Sequence, residues 1–478
     1  MKKLKQVFAF SLAAVMSFSL LTGCGTGSAT SNPTGAEITT AGGAETSTVP
    51  SGEKTVITIW TKDRHDADFM QQKVDKYNAI NTHNIEIKYE IYSDNYVQAV
   101  DMVFQSGEAP DMFVYQEQIF ANYVHAGKYA DITPLMDDEF KSVFANSFIN
   151  GVSVIDGKTY FIPTGAVTCR LFYNVEIFER VGLDGPPETL EQMVEYSKKI
   201  TAALSGEGIY GFASNMKGAQ SALARSFDQA VQRSLGINKG FDFAKGEYDF
   251  TGYTKIVEIW RDLLSADSAF PGCESLDIDP LRTQFAAGKI GMYMSYTSAE
   301  PGVYANQFPM EEEKWACAEI PALSGVVNGA QDYTVNNGYL FNSDSPNLEA
   351  AWTVYTELFA NTDNLAEYYS AGLGISLVPD AIAKAEPAQC YLNNPALLIG
   401  DTDSIYPKPP HTANTDAVII EGQNYYDSLA ELIWNGGDIE KGLQDITDRY
   451  NKAYQTGIQQ GIGQDLKIEN FDPMHPAQ

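Results

Sequence analysis

The residue types that most often carry chemistry are present in this sequence, but they are not spaced for it. Its histidines (His65, His83, His125, His411 and His475) are scattered, which gives no metal-ligand cluster. Cys169, Cys273, Cys317 and Cys390 are widely spaced without a CxxC pair, so zinc and thioredoxin-like readings have no support; four such cysteines could form up to two disulfides in an oxidising place, and unpaired, mostly buried thiols are the favoured expectation. Gly151 to Lys158 resembles a phosphate loop, yet five residues separate its glycines where four are needed. An Asp156-Gly157 hairpin turn accounts for the same residues. Asp277-Ile278-Asp279 and Asp401-Thr402-Asp403 lack the glycine and glutamate of a calcium loop. A carboxylate pair for glycoside hydrolysis is open to a chain with 62 acidic residues, but no pair stands out. No cofactor and no metal ion is expected.

Cys24 is the exception. Lys2, Lys3 and Lys5 precede an uncharged apolar run over residues 7–21, and Leu21-Thr22-Gly23-Cys24 follows at once. A basic start, a short apolar stretch and small residues mark a secretory signal, and the run is shorter than the ~20 residues of a membrane span. The tetrapeptide resembles a bacterial lipobox. Export, cleavage after Gly23 and lipid on Cys24 are therefore expected, holding the protein on the extracytoplasmic face of the cell membrane. Residues 24–54 would be the tether. They are rich in Gly, Ser, Thr, Ala and Pro, and reach about 30 Å at 5–6 Å times the square root of length.

The formal net charge is −30, and more negative once the three lysines of the signal are removed. Such a chain repels nucleic acid and anionic lipid headgroups, so no nucleic-acid partner is expected. With 478 residues, 44% of them hydrophobic, the chain exceeds what a single core holds, and two lobes are expected.

The elements that would position a site begin at Thr55. Val56, Ile57, Ile59 and Trp60 read as a buried strand. Phe69, Met70, Val74, Tyr77 and Ile80 lie at helical spacing, and Ile85, Ile87, Tyr89 and Ile91 alternate with charged residues as a strand. A helix over residues 95–105 stops at Ser106-Gly107 before a strand from Asp111 to Tyr115. This alternation predicts an α/β lobe with a largely parallel sheet. Further on, a hairpin is expected around Asp156-Gly157, strands over residues 168–173 and 290–294, and a helix opened by a Thr189/Gln192 capping box. Ser345 and Pro346 read as the start of another helix. No internal repeat is present, which argues against a structural adhesin.

Several segments in order resemble the extracellular solute-binding proteins of carbohydrate ABC importers, the maltose-binding protein group. They are Ser106-Gly107-Glu108-Ala109-Pro110-Asp111, Gly127 to Leu135, Gly157 to Pro163 with Leu171-Phe172-Tyr173-Asn174, Phe178 to Leu190, Phe285 to Met292, and Ser345 to Trp352. The resemblance implies a two-lobed periplasmic-binding-protein-like type II fold of α/β class, with discontinuous lobes and a central ligand cleft. Lobe one would take residues 55–163 plus 338–388, and lobe two 164–337 plus 389–465, with a C-terminal tail over 466–478. It implies a monomer that captures a mono- or oligosaccharide for the membrane permease of an ABC importer and is not an enzyme.

Carried over residue by residue, the ligand-binding groups would be Trp60, Asp63 and Arg64 around the end of the first strand, Tyr115 and Glu117 after the Asp111 strand, Tyr296 where the family often has tryptophan, and Tyr425. Aromatic rings suit the apolar faces of a sugar, and its hydroxyls need donors and acceptors. Two alternatives remain at this stage: a peptide or other polar solute, with Arg64 as its charge partner, and a surface glycoside hydrolase or lyase. Ile162-Pro163-Thr164-Gly165 and Val335-Asn336-Asn337-Gly338 are the expected hinge junctions.

Overall fold

In the first sheet, Thr55–Thr61 pairs in parallel with Ile85–Ile91 on one side and Met112–Val114 on the other, and Tyr339–Phe341 adds an antiparallel edge. Helices Ala67–Ile80 and Tyr96–Ser106 make the crossovers, burying Met70, Val74 and Tyr77 from one and Tyr96, Val100 and Phe104 from the other. Gly107 ends the second helix at φ 75°, a left-handed value that glycine takes without Cβ strain. The expected apolar faces run out early. Ile80 is 66% exposed and Ile91 41%, each the last residue of its element.

The structure, a computed structural model, describes residues 53–92, 95–410, 420–461 and 463–477. The signal, Cys24 and all but the end of the tether lie outside the described residues. No helix among the described residues is long and apolar enough to cross a membrane.

A second sheet runs in the order Trp315–Ala318, Cys169–Asn174, Ile290–Tyr296, Tyr210–Phe212, with only the last pair parallel. Beside it the Thr189 hydroxyl accepts from the Gln192 N–H at 3.0 Å and caps helix Leu190–Leu204. The Asp156-Gly157 turn is present, with φ 51° and 76°, between Val154–Ile155 and Lys158–Thr159. The helix expected at Ser345 begins instead at Leu348, with Asn347 as its N-cap. The cause is Asp111: its carboxylate accepts from the Ser345 hydroxyl at 2.5 Å and from the Asn347 amide at 3.3 Å, which holds both residues in a turn.

Each sheet has its own hydrophobic core. The first gathers residues from Ile57 to Ile162 and from Val335 to Ala381. The second gathers residues from Cys169 to Ile320 and from Tyr369 to Tyr454. The chain thus crosses repeatedly between cores, and both lobes are discontinuous. At the crossing a three-stranded antiparallel sheet sets Gly165–Val167 between Thr334–Asn336 and Ile375–Ser376. A Cβ on Gly165 would meet Asn336 Oδ1 at 2.5 Å and the Ile375 carbonyl at 3.2 Å, so these strands approach this closely only at glycine.

The C-terminal residues are packed. Leu466, Ile468 and Phe471 lie against the second core, and the Ala330 N–H donates to the Pro473 carbonyl at 2.8 Å. Cys169, Cys273, Cys317 and Cys390 are all buried and unpaired, and burial raises each thiol.

Candidate functional site

The two cores face each other across a cleft of about 370 Å³, floored by the crossing residues from Asp332 to Asn337. The end of the Thr55–Thr61 strand delivers Lys62, Asp63 and His65 to one wall. Strand Met112–Val114 delivers Tyr115, Gln116 and Glu117 to the same wall, Glu117 opening helix Glu117–His125. Tyr115 is stacked on Phe161 at 4.2 Å between ring centroids and meets Phe120 edge-on at 5.3 Å. Packing thus fixes one ring face, and burial pushes its hydroxyl well above the ordinary tyrosine range.

Strand Ile290–Tyr296 ends in Tyr296 on the opposite wall, beside Ser298 and Ala299. The Arg225 guanidinium lies 4.8 Å from the centre of its ring, a cation–π contact that orients it. Burial pushes the Tyr296 hydroxyl up to about 12. Asn336 lines the cleft floor, but its side-chain oxygen is buried over Gly165, without a hydrogen-bond partner among the described residues.

Charge in the cleft centres on Glu117. Its carboxylate pairs with the Lys408 ammonium, and the Lys239 ammonium stands 4.0 Å away. Burial works against the Lys408 charge, but Glu117 and Asp332 together outweigh it, so the ammonium sits above its usual range. Asp332 lies behind this group. Burial raises its carboxyl to about 6, against the lowering effects of Lys239, Lys408 and the Tyr406 N–H, which it accepts at 3.1 Å. The Asn238 amide donates to the Pro407 carbonyl at 3.3 Å, tying the Lys408 loop to the segment that carries Lys239.

Of the residues expected from sequence, the structure brings Asp63, Tyr115, Glu117 and Tyr296 into one cleft. It does not bring Trp60, Arg64 or Tyr425 there. Trp60 is 7% exposed, its ring 4.1 Å from Tyr92 and 6.3 Å from Phe113 within the first core. Tyr425 is 2% exposed and donates at 3.0 Å to Asp228, which also accepts from Tyr426 at 2.7 Å. Arg64 lies outside the lining and pairs at 3.0 Å with Asp279, on helix Ile278–Ala286 beside the second core. Sequence reasoning missed Lys408, Lys239, Asp332 and Asn336. The hinge junction expected at Val335-Asn336-Asn337-Gly338 included Asn336 and lay close to Asp332, while nothing in the Pro-Lys-Pro-Pro run signalled Lys408.

Residues 62–364, well over half of the chain, match the bacterial extracellular solute-binding protein family. The chain belongs to that family. Curated relatives from Brucella abortus (strain 2308) and Brucella suis biovar 1 (strain 1330) are named as binding proteins. Each is 26% identical over 278 residues, 58% of this chain and 64% of the relative, so the match spans just under two thirds of their length. Among solved structures, one from work on xylan utilization by Caldanaerobius polysaccharolyticus superposes with TM-score 0.67 at 18% identity, covering 83% of this chain and all of that one. A solute-binding protein from Thermotoga lettingae gives 0.66 at 16% identity, over 84% and 100%. The GacH receptor of Streptomyces glaucescens gives 0.66 at 15% identity, over 84% and 99%. At these identities the likeness is one of fold, and the fold is the two-lobed periplasmic-binding-protein type.

Proposed function

We propose that this chain is a substrate-binding protein that captures a carbohydrate outside the cytoplasm for an ABC importer. One observation carries the reading. Tyr115 and Tyr296 reach a single cleft from opposite lobes, among the hydroxyl-pairing groups Asp63 and Gln116. Rings for the apolar faces of a sugar and polar groups for its edges are what such a ligand requires. The neighbours of like fold support the class: GacH is described in complex with acarbose, a Listeria monocytogenes protein with cycloalternan, and another binding protein with raffinose. The work of this protein is binding and release, not turnover.

The lipobox-like tetrapeptide at Cys24 supports anchoring by lipid, with the tether holding the binding lobes clear of the membrane. A thermal-shift screen of the purified protein against mono- and oligosaccharides tests the ligand class. A bound glycan at a hundredfold excess over its Kd stabilises by about 2.7 kcal/mol. A screen in which no glycan raises Tm, or cleavage of a sugar by the pure protein, would overturn the reading.

A further inference from the structure

The lysine pair around Glu117 goes beyond a neutral sugar site. We propose that the cleft selects an acidic carbohydrate, whose carboxylate sits between Lys239 and Lys408 in the place Glu117 occupies here. The inference rests on the carbohydrate reading above and narrows its substrate class.

Two ammonium groups that converge on one carboxylate already form a carboxylate site. Its occupant comes from the other side of the cleft. Glu117 opens a helix that packs on the first core, whereas Lys239 and the Lys408 loop are joined through Asn238 and Pro407 beside the second. Opening the cleft would withdraw Glu117 and leave both lysines to the solute.

Asp332 stands behind the pair and offsets part of its charge. Exchange of Glu117 for a ligand carboxylate leaves the local charge unchanged. A neutral glycan gives the lysines no such exchange and leaves Glu117 paired. The chain as a whole carries −30, which disfavours the approach of any acidic solute. A half-buried pair of lysines is the kind of local feature that reverses that preference. Lys62 adds a third cation on the lobe-one wall, where it donates to Gln116 at 3.1 Å.

The test is calorimetry with short oligomers of galacturonic and glucuronic acid, each against its uncharged counterpart, on wild type and on Lys408→Met, Lys239→Met and Glu117→Gln. Thermal melts confirm that each variant is folded. The acidic oligomer should bind wild type about tenfold or more tightly than its neutral counterpart, the scale of a charge-assisted hydrogen bond. Either lysine variant should lose that preference. Glu117→Gln should strengthen acidic binding, because the internal competitor is gone. Binding of neutral oligomers alone, unchanged by Lys408→Met, would overturn the acidic-sugar assignment and leave the carbohydrate reading standing. Weaker acidic binding in Glu117→Gln would also overturn it, by making Glu117 a ligand contact. Failure of every one of these oligomers to bind would overturn the acidic-sugar assignment, whereas the carbohydrate reading falls only if the wider thermal-shift screen also finds no glycan.

Discussion

Replacing Asp228 by asparagine should flatten the pH dependence of stability. Asp228 is 1% exposed; one carboxylate oxygen accepts from Tyr425 and Tyr426, and the other has no partner among the described residues. Burial raises its carboxyl from 3.8 to about 6, more than its hydrogen bonds and Lys239 lower it. A carboxyl with a raised folded value keeps its proton where the unfolded chain releases it. Its contribution is therefore complete below about pH 4 and is lost as pH rises through about 6. At 1.36 kcal/mol per pH unit, a shift of about 2 units amounts to about 3 kcal/mol. Asparagine still accepts from both tyrosines and never ionises. Urea unfolding followed by tryptophan fluorescence should find Asp228→Asn close to wild type at pH 4 and more stable by about 3 kcal/mol at pH 7.5. Both proteins keep a second decline from Asp332, raised to about 6 in the same way, which cancels in their difference. A difference between the two proteins that does not change with pH, or a less stable variant at pH 7.5, would refute the reasoning.

Trp60→Ala should cost about 3–5 kcal/mol of stability, the usual range for a buried aromatic, while ligand affinity in the folded fraction stays the same. Paired urea melts and calorimetry would show whether loss of affinity instead places the ring at the site. Cys24→Ala should abolish lipid attachment and shift the protein from the membrane fraction to the medium or leave it uncleaved. Mass spectrometry that finds unmodified Cys24 in membrane-bound wild type would contradict the anchor.

Much of the fold was legible because periodicity reports local geometry. The alternation from Ile85 to Ile91 and the capping pair Thr189/Gln192 each depend on residues within one element. The start of the helix after Ser345 was not legible in this way. It is set by Asp111, more than 230 positions earlier, which captures Ser345 and Asn347. The site divides along the same line. Tyr115 and Glu117 follow a motif that ends in a strand, and Tyr296 ends another. Trp60 near the end of a strand and Tyr425 at the start of a helix are aromatic too, but type alone does not separate a ring in the cleft from one in a core. Lys408 reaches Glu117 across 291 positions, and only the folded chain brings them together.

The measurement closest to the central claim is calorimetric titration of wild type, Tyr115→Ala and Tyr296→Ala with a glycan found by the thermal-shift screen. If the cleft between the lobes binds sugar on these two rings, wild type binds it, and each variant, still folded by its melting curve, loses about 1–3 kcal/mol of affinity. Unchanged affinity in both variants would assign the rings to packing and place the carbohydrate, if it binds at all, elsewhere.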